Sequence, residues 1–283
     1  MRLEVVDAVS QAGVRHNEDI WGATAQAAWI FDGATGIWPH NRFGGPSEAA
    51  WLVAQGDAAL RRRLEADGTA TPVREMLAQM AEETLEAARL ACELDGVAPH
   101  ELPSASVAMV RAVAGGLELS NLGDCAVVCR LDRGPARRYG SSGVAKLDAR
   151  LHRAIGEHLD RGLSLAEAQA EARGLILRHR ALMNCPRGYW IYDLSGRGAL
   201  HAQVRTVRAR AGELVLLVTD GFYRLVDTYG RYDWPGLLDA AAAHGVARLC
   251  QELRDIEAGD PECRAYRRNK PRDDATAVLL RLT

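Results

Sequence analysis

The chain has 283 residues, 48% of them hydrophobic and 25% charged, with a formal net charge of −2 at pH 7. That length can bury a sizeable core in one large domain or two ordinary ones, and the composition is that of a folded globular protein rather than a disordered one. A balance so near neutrality excludes binding to nucleic acid or an anionic membrane through bulk electrostatics, and no apolar run is long enough to cross a bilayer.

In chain order, residues 3–10 alternate loosely between apolar and polar, and 27–31 form a short apolar run that stops at Asp32-Gly33; both predict strands. Residues 46–65 and 73–94 carry alanine and leucine at three- and four-residue intervals among Glu, Arg and Gln, which predicts two amphipathic helices. Strand chemistry returns at 106–113, 117–121 and 126–131, with Gly115-Gly116 and Gly123-Asp124 as turns, and predicts an antiparallel meander. Residues 144–183 are helical in composition, 203–207 and 213–219 are strand-like, 235–256 predict two more helices, and 275–282 predict a last strand. Strands in hairpin runs with helices in separate blocks predict α+β layers rather than a parallel βαβ sheet. No Gly-rich linker divides the chain, so a single domain over 1–283 is expected.

Six cysteines without a C-x-x-C pair read as reduced thiols, and eight histidines without a close pair argue against a zinc site. The N-terminal residues lack the apolar stretch of a secretory signal, and a cytoplasmic location is expected.

The acidic residues carry the chemistry. Asp32 follows Ala27-Ala28-Trp29-Ile30-Phe31, Asp220 follows Leu214-Val215-Leu216-Leu217-Val218-Thr219, and each is followed by glycine. Asp-Gly is a common turn dipeptide. It is also a way to expose a carboxylate at a sheet rim where glycine lets a ligand approach the backbone carbonyl. Asn17-Glu18-Asp19 and Asp273-Asp274 add acidic clusters beside two further strands, and an all-oxygen ligand set suits magnesium or manganese.

The segments Arg15-His16-Asn17-Glu18-Asp19, Phe31-Asp32-Gly33, Asn121-Leu122-Gly123-Asp124, Val218-Thr219-Asp220-Gly221 and Asp273-Asp274-Ala275-Thr276 resemble, in order, the successive signatures of the type 2C serine/threonine phosphatases, the metal-dependent protein phosphatase family, in a bacterial-like form. The resemblance implies a four-layer α-β-β-α sandwich of two antiparallel sheets flanked by helices, with two Mn2+ or Mg2+ ions at one end. It implies hydrolysis of phosphoserine or phosphothreonine in proteins by a metal-bridging hydroxide, opposing a serine/threonine kinase, with no nucleic-acid or membrane partner. By the same resemblance Asp32 bridges both metals and the Gly33 carbonyl binds one. Asp220 and Asp273 complete the first metal, and Glu18 and Asp19 hold the second. Asp124 helps form a third site known in bacterial relatives. Arg15 grips the phosphate with its planar fork, the other reading being a surface ion pair.

Three departures stand out. Many family members carry a histidine acid shortly after the Asp-Gly, whereas here Ala34-Thr35-Gly36 follows; Arg15 lies closer to Asp19 than usual; and Ser104-Ala105-Ser106-Val107 replaces a Gly-Ser/Thr-Thr element. Residues 144–190 occupy the place of the family's variable flap. There Arg187-Gly188-Tyr189-Trp190 reads either as a phosphopeptide contact or as ordinary packing, and the basic run 264–272 either as an attractor for acidic phosphoprotein or as a solvated loop. A haloacid-dehalogenase reading of Phe31-Asp32-Gly33-Ala34-Thr35 fails because its nucleophilic Asp would be residue 30, which is Ile30. Two other readings stay open: a non-catalytic phosphoprotein-binding module, and a phosphatase for small phosphate esters.

Overall fold

The computed structural model describes residues 1–34, 36–38, 40–130, 134–141 and 143–283. Two antiparallel sheets pack face to face, as expected. One holds β1 (Leu3–Gln11), β6 (Ala126–Cys129), β7 (Arg137–Tyr139), β10 (Leu214–Val218) and β11 (Ala275–Leu282) in the order β1-β11-β10-β6-β7. The other holds β2 (Asp19–Ala23), β3 (Ala27–Gly33), β4 (Ser104–Val113), β5 (Gly116–Leu122) and β9 (Gln203–Val207) in that order, and the short β8 (Tyr192–Asp193) pairs with β4. Thr35 and Leu131, which fall in segments discussed above, lie outside the described residues.

The apolar runs are continuous because these strands are buried on both faces, and successive side chains then enter different cores. In β3, Ala28 and Ile30 point between the sheets, while Trp29 and Phe31 point outward against α1 (Glu48–Asp67) and α2 (Val73–Ala91). In β10, Val215 and Leu217 face the other sheet, and Leu216 and Val218 face α6 (Trp234–His244) and α7 (Val246–Gly259). Helices thus cover both outer faces. Trp29 is fully buried because its indole N–H donates to Asp57 Oδ1 of α1 at 2.8 Å, which satisfies the one polar atom the ring carries.

Local chemistry starts these helices where the chain needs them. Ser47 caps α1 by accepting from the Ala50 amide at 3.0 Å, and Asp233 caps α6 by accepting from the Gly236 amide at 2.7 Å. In the 144–190 segment the structure has a helical hairpin, α3 (Gly143–Asp160) and α4 (Leu165–Arg180), the second opened by a Ser164–Glu167 capping box. The hairpin carries its own apolar cluster, including Leu151, Ile155, Leu159 and Ala168, closed by Cys263.

One expectation needs correcting. Asp220 is not the tip of a strand but the first residue of α5 (Asp220–Asp227), which follows β10 directly. Eight residues are too few for helical periodicity to emerge from a sequence window, and the adjoining apolar run masks it.

Candidate active site

The strands bring the acidic residues to one end of the sandwich. Asp19 of β2 sits opposite Asp32 of β3, and Asp32 sits opposite Ser106 of β4. Ser106 in turn hydrogen-bonds the Asp124 carboxylate and accepts the Asp124 amide at 3.1 Å, holding the β5–β6 turn against the sheet. That turn needs Gly123, whose φ is +97° and whose added Cβ would lie 2.2 Å from Ser106 Oγ.

From the other sheet, Thr219 donates to Asp19 Oδ2 at 3.0 Å across the sandwich, and Asp220 follows it. The start of α5 packs so tightly on the segment before β11 that a Cβ on Gly221 would stand 1.9 Å from the Asp274 carbonyl oxygen. Asp274 accepts from the amides of Gly13 at 2.7 Å and Glu18 at 2.6 Å, pinning both ends of the loop that carries Arg15. Glu18 accepts from Ser47 at 2.5 Å, so the serine that caps α1 also orients this carboxylate. The Gly33 amide donates to the Glu18 carbonyl at 3.0 Å, where a Cβ on Gly33 would come within 2.6 Å of that oxygen.

So many carboxylates in one buried place repel. Burial, then the neighbouring charges of Asp19, Asp220, Asp124 and Asp273, holds the Asp32 carboxyl well above the usual range. Burial also raises Asp19 and Asp220, the first helped by Asp274 and the second by Asp273. Burial and Asp220 push Asp124 up to about 7 despite its bond to Ser106. Asp273 is the exception: burial opposes ionisation, but Lys270 and Arg224 outweigh it and bring the carboxyl down to about 2. Lys270 Nζ donates to Asp273 Oδ1 at 2.8 Å and Arg224 Nη2 to Oδ2 at 2.6 Å.

Two clefts open on this cluster. One, of about 290 Å³, is lined by Asp32, Asp124, Asp220 and Asp273 on the sandwich side and by Asp148 and His152 of α3 on the other. The second, of about 480 Å³, is lined by Arg15, Glu18, Trp38 and Arg272 among others, and meets the first at Ala34, Gly36, Arg180, Lys270 and Asp273.

Sequence reasoning missed Asp148. One carboxylate oxygen each from Asp124, Asp148 and Asp220 lies within 4.8 Å of the others, and burial with the charges of Asp124 and Asp220 raises the Asp148 carboxyl well above its ordinary value. His152, one helical turn on, is held down to about 4 by burial and by Arg224. The available signal was weak: an Asp-x-x-x-His pair inside a helix rich in Arg and His. Arg15 is exposed at the wall of the larger cleft, next to the cluster. Arg187 is exposed in the turn after α4 and lines neither of these clefts, whereas its neighbour Tyr189 is buried and lines the smaller one. Ala34 lines both clefts, where the family's histidine acid would be sought.

The donor set is all oxygen, the carboxylates repel one another, and Asp19 Oδ1 is buried with no hydrogen-bond partner among the described residues. These are the conditions under which hard divalent cations bind. Together, the sandwich and its all-oxygen cluster define a candidate centre for divalent cations at one end of two packed sheets.

A sequence profile described as Protein phosphatase 2C matches residues 12–256, and the chain belongs to that family. The fold is similar to the Mycobacterium tuberculosis serine/threonine phosphatase PstP/Ppp, with 19% identity, 100% of this chain and 99% of that one covered, and a TM-score of 0.56. It is similar to PppA of Pseudomonas aeruginosa, described as a key regulatory component of T6SS, at 17% identity, 100% and 99% coverage and a TM-score of 0.58. It is also similar to the PPM Ser-Thr phosphatase MsPP from Mycobacterium smegmatis, solved with cacodylate, at 16% identity, 99% coverage of both chains and a TM-score of 0.56. A PstP catalytic domain was solved with two manganese ions, and this chain shares 18% identity with it over 99% of its own length and 98% of that chain, at a TM-score of 0.55. No curated protein sequence matches the chain.

Proposed function

We propose that the phosphatase activity resides in the carboxylate cluster, where Asp32, Asp19, Asp220, Asp273, Glu18 and the Gly33 carbonyl would hold two divalent cations, Mn2+ or Mg2+. Asp124, Asp148 and Asp220 have the spacing for a third. The observation that carries this reading is the convergence of mutually repelling, buried carboxylates on one end of the sandwich.

Bound divalent cations supply an activated water and neutralise charge on the phosphoryl oxygens. The chain's own part is positional. Asp32 and Asp19 are fixed by strand register, Asp124 by Ser106, and Glu18 by Ser47. Arg15 lines the larger cleft, where the planar fork of its guanidinium would fit two phosphate oxygens. Ala34 offers no proton, so protonation of the leaving serine oxygen falls to solvent. The two remaining helices, α3 and α4, act as the flap over the site, and the substrates are phosphoproteins made by a serine/threonine kinase in the cytoplasm. Among the described residues no helix is long and apolar enough to cross a membrane.

The deciding experiment is hydrolysis of a chromogenic phosphate ester with manganese by the wild type, Asp32→Ala and Asp220→Ala. The variants should lose on the order of a thousandfold in rate, about 4 kcal/mol of transition-state stabilisation. Equal rates in all three proteins would leave a non-catalytic phosphoprotein-binding module as the better account.

A further inference from the structure

The larger cleft, of about 480 Å³, holds, beside Arg15, two arginines that the hydrolysis itself does not use, Arg180 and Arg272. Its carboxylates are already satisfied within the protein. Glu48 and Glu101 share Arg42, at 3.1 and 3.5 Å. Asp273 is held by Lys270 and Arg224, Asp274 by the amides of Gly13 and Glu18, and Glu18 by Ser47.

The cleft's arginines are in the opposite condition. Arg15 comes from the β1–β2 loop, Arg180 from the last turn of α4, and Arg272 from the segment before β11, and among the described residues none of them forms an ion pair. Among the described residues, the hydrogen-bond partners of Arg180 are neutral: the carbonyl oxygens of His100 and Leu102 at 3.4 Å and the Tyr189 side chain. Arg15 and Arg272 are exposed. A charge run on one helix face would be ordinary solvated surface. Three guanidiniums delivered by three separate segments line one cleft beside the cluster, and among the described residues they lack ion-pair partners such as Glu48, Glu101 and Asp273 have in Arg42, Lys270 and Arg224.

We propose that this cleft selects phosphoproteins whose phosphorylated residue is flanked by acidic side chains: Arg15 meets the phosphate, and Arg180 and Arg272 meet the neighbouring carboxylates. The inference rests on the phosphatase reading above and adds its substrate class. It also gives the basic run at 264–272 a role at its last member, Arg272, whereas Arg268 is buried on Asp260 at 2.6 Å and Arg264 is spent on the carbonyls of Leu159 and Leu163.

The test compares three phosphoserine peptides of one core sequence, flanked on both sides by Ala, Glu or Lys, with the manganese-loaded protein, and uses the chromogenic ester as a check on the chemistry. The Glu peptide should exceed the Ala peptide about tenfold in kcat/KM, the yield of two partly shielded ion pairs, with the Lys peptide lowest. The Glu-to-Ala ratio should fall towards one at ~0.5 M salt and in Arg180→Gln and Arg272→Gln, each variant serving as its own reference. Arg272→Glu, at an exposed position, should invert the order of the Glu and Lys peptides. Equal kcat/KM for the three peptides in the wild type would overturn the proposal. If the ester is not hydrolysed, the catalytic reading fails alone. The same peptides made with a non-hydrolysable phosphonate and a fluorescent label then decide by anisotropy: tighter binding of the Glu form supports acidic selection, and equal affinities end it.

Discussion

Arg224 Nη2 donates to Asp273 Oδ2 at 2.6 Å from a side chain that is only 7% exposed. Lys270 Nζ takes the other carboxylate oxygen at 2.8 Å. Asp273 thus has two cationic partners of its own, and a divalent ion that coordinates it has to displace or share one of them. This sets Asp273 apart from Asp19, Asp32, Asp124 and Asp220, whose carboxylates form no ion pair among the described residues.

Lys270 is the partner that can yield, being less buried than Arg224 and at the end of a flexible stem. Lys270→Met should therefore tighten manganese binding about tenfold by calorimetric titration, since it removes both a competitor for Asp273 and a repelling charge. Unchanged or weaker binding would mean that Lys270 does not compete at this carboxylate.

Arg224 is structural as well as electrostatic. It stands 3.9 Å from Glu257 Oε1, and the Glu257 side chain is fully buried. Arg224→Met would leave Asp273 with Lys270 and Glu257 with Arg254, both short of a cation they now share. A loss of about 3 to 5 kcal/mol in urea unfolding is expected, the cost of breaking a buried ion network from one side. A loss below about 1 kcal/mol would show that water or rearrangement replaces the guanidinium.

The protonation shifts set a pH dependence for the metal-free chain. For Asp19, Asp32, Asp124 and Asp220 the folded carboxyl lies above the ordinary 3.8, so their protonated forms favour folding and stability drains away as pH rises from about 4 towards about 7. Asp273, at about 2, works the other way: its contribution is present above 3.8 and is lost as pH falls towards 2. In the presence of a chelator the melting temperature should decline between pH 5 and 8, and ~1 mM Mn2+ should raise it by an amount that grows with pH, because metal and proton compete for the same oxygens. A chelated protein whose melting temperature climbs steadily over that range would contradict the repulsion inferred here.

Gly221 marks the tightest joint of the site. Gly221→Ala should cost more than about 2 kcal/mol and most of the activity, because its Cβ would meet the Asp274 carbonyl oxygen at 1.9 Å and push α5 from the Asp273–Asp274 segment. Gly259→Ala, at a position where an added Cβ meets nothing within 4 Å, is the matched control and should be close to neutral. Equal effects on thermal unfolding would mean that the joint is loose.

The local elements were readable because each rests on short-range chemistry. The apolar runs of β3 and β10, the amphipathic α1 and α2, and the Gly123-Asp124 turn all announce themselves within a window of about ten residues. The helix that begins at Asp220 did not, being shorter than such a window. β7 and β8, of three and two residues, gave no strand signal either, since pairing with β6 and β4 is what makes them strands.

For the site, the chain alone marked Asp32, Asp220 and Asp273 as carboxylates beside strands, and ordered motifs named the family. Which carboxylates face one another, and with what charge around them, was decided only by the fold. Asp148 joins Asp124 and Asp220 because the α3–α4 hairpin folds back over the sandwich, a contact between residues 24 and 72 positions apart. Lys270 and Arg224 close on Asp273 because β11 and α5 are neighbours, and Arg15, Arg180 and Arg272 line one cleft that no spacing in the sequence reveals. The physical reason is range: periodicity and turn chemistry act over a few residues, whereas a cluster of charges is set by burial and distance among segments far apart in the chain.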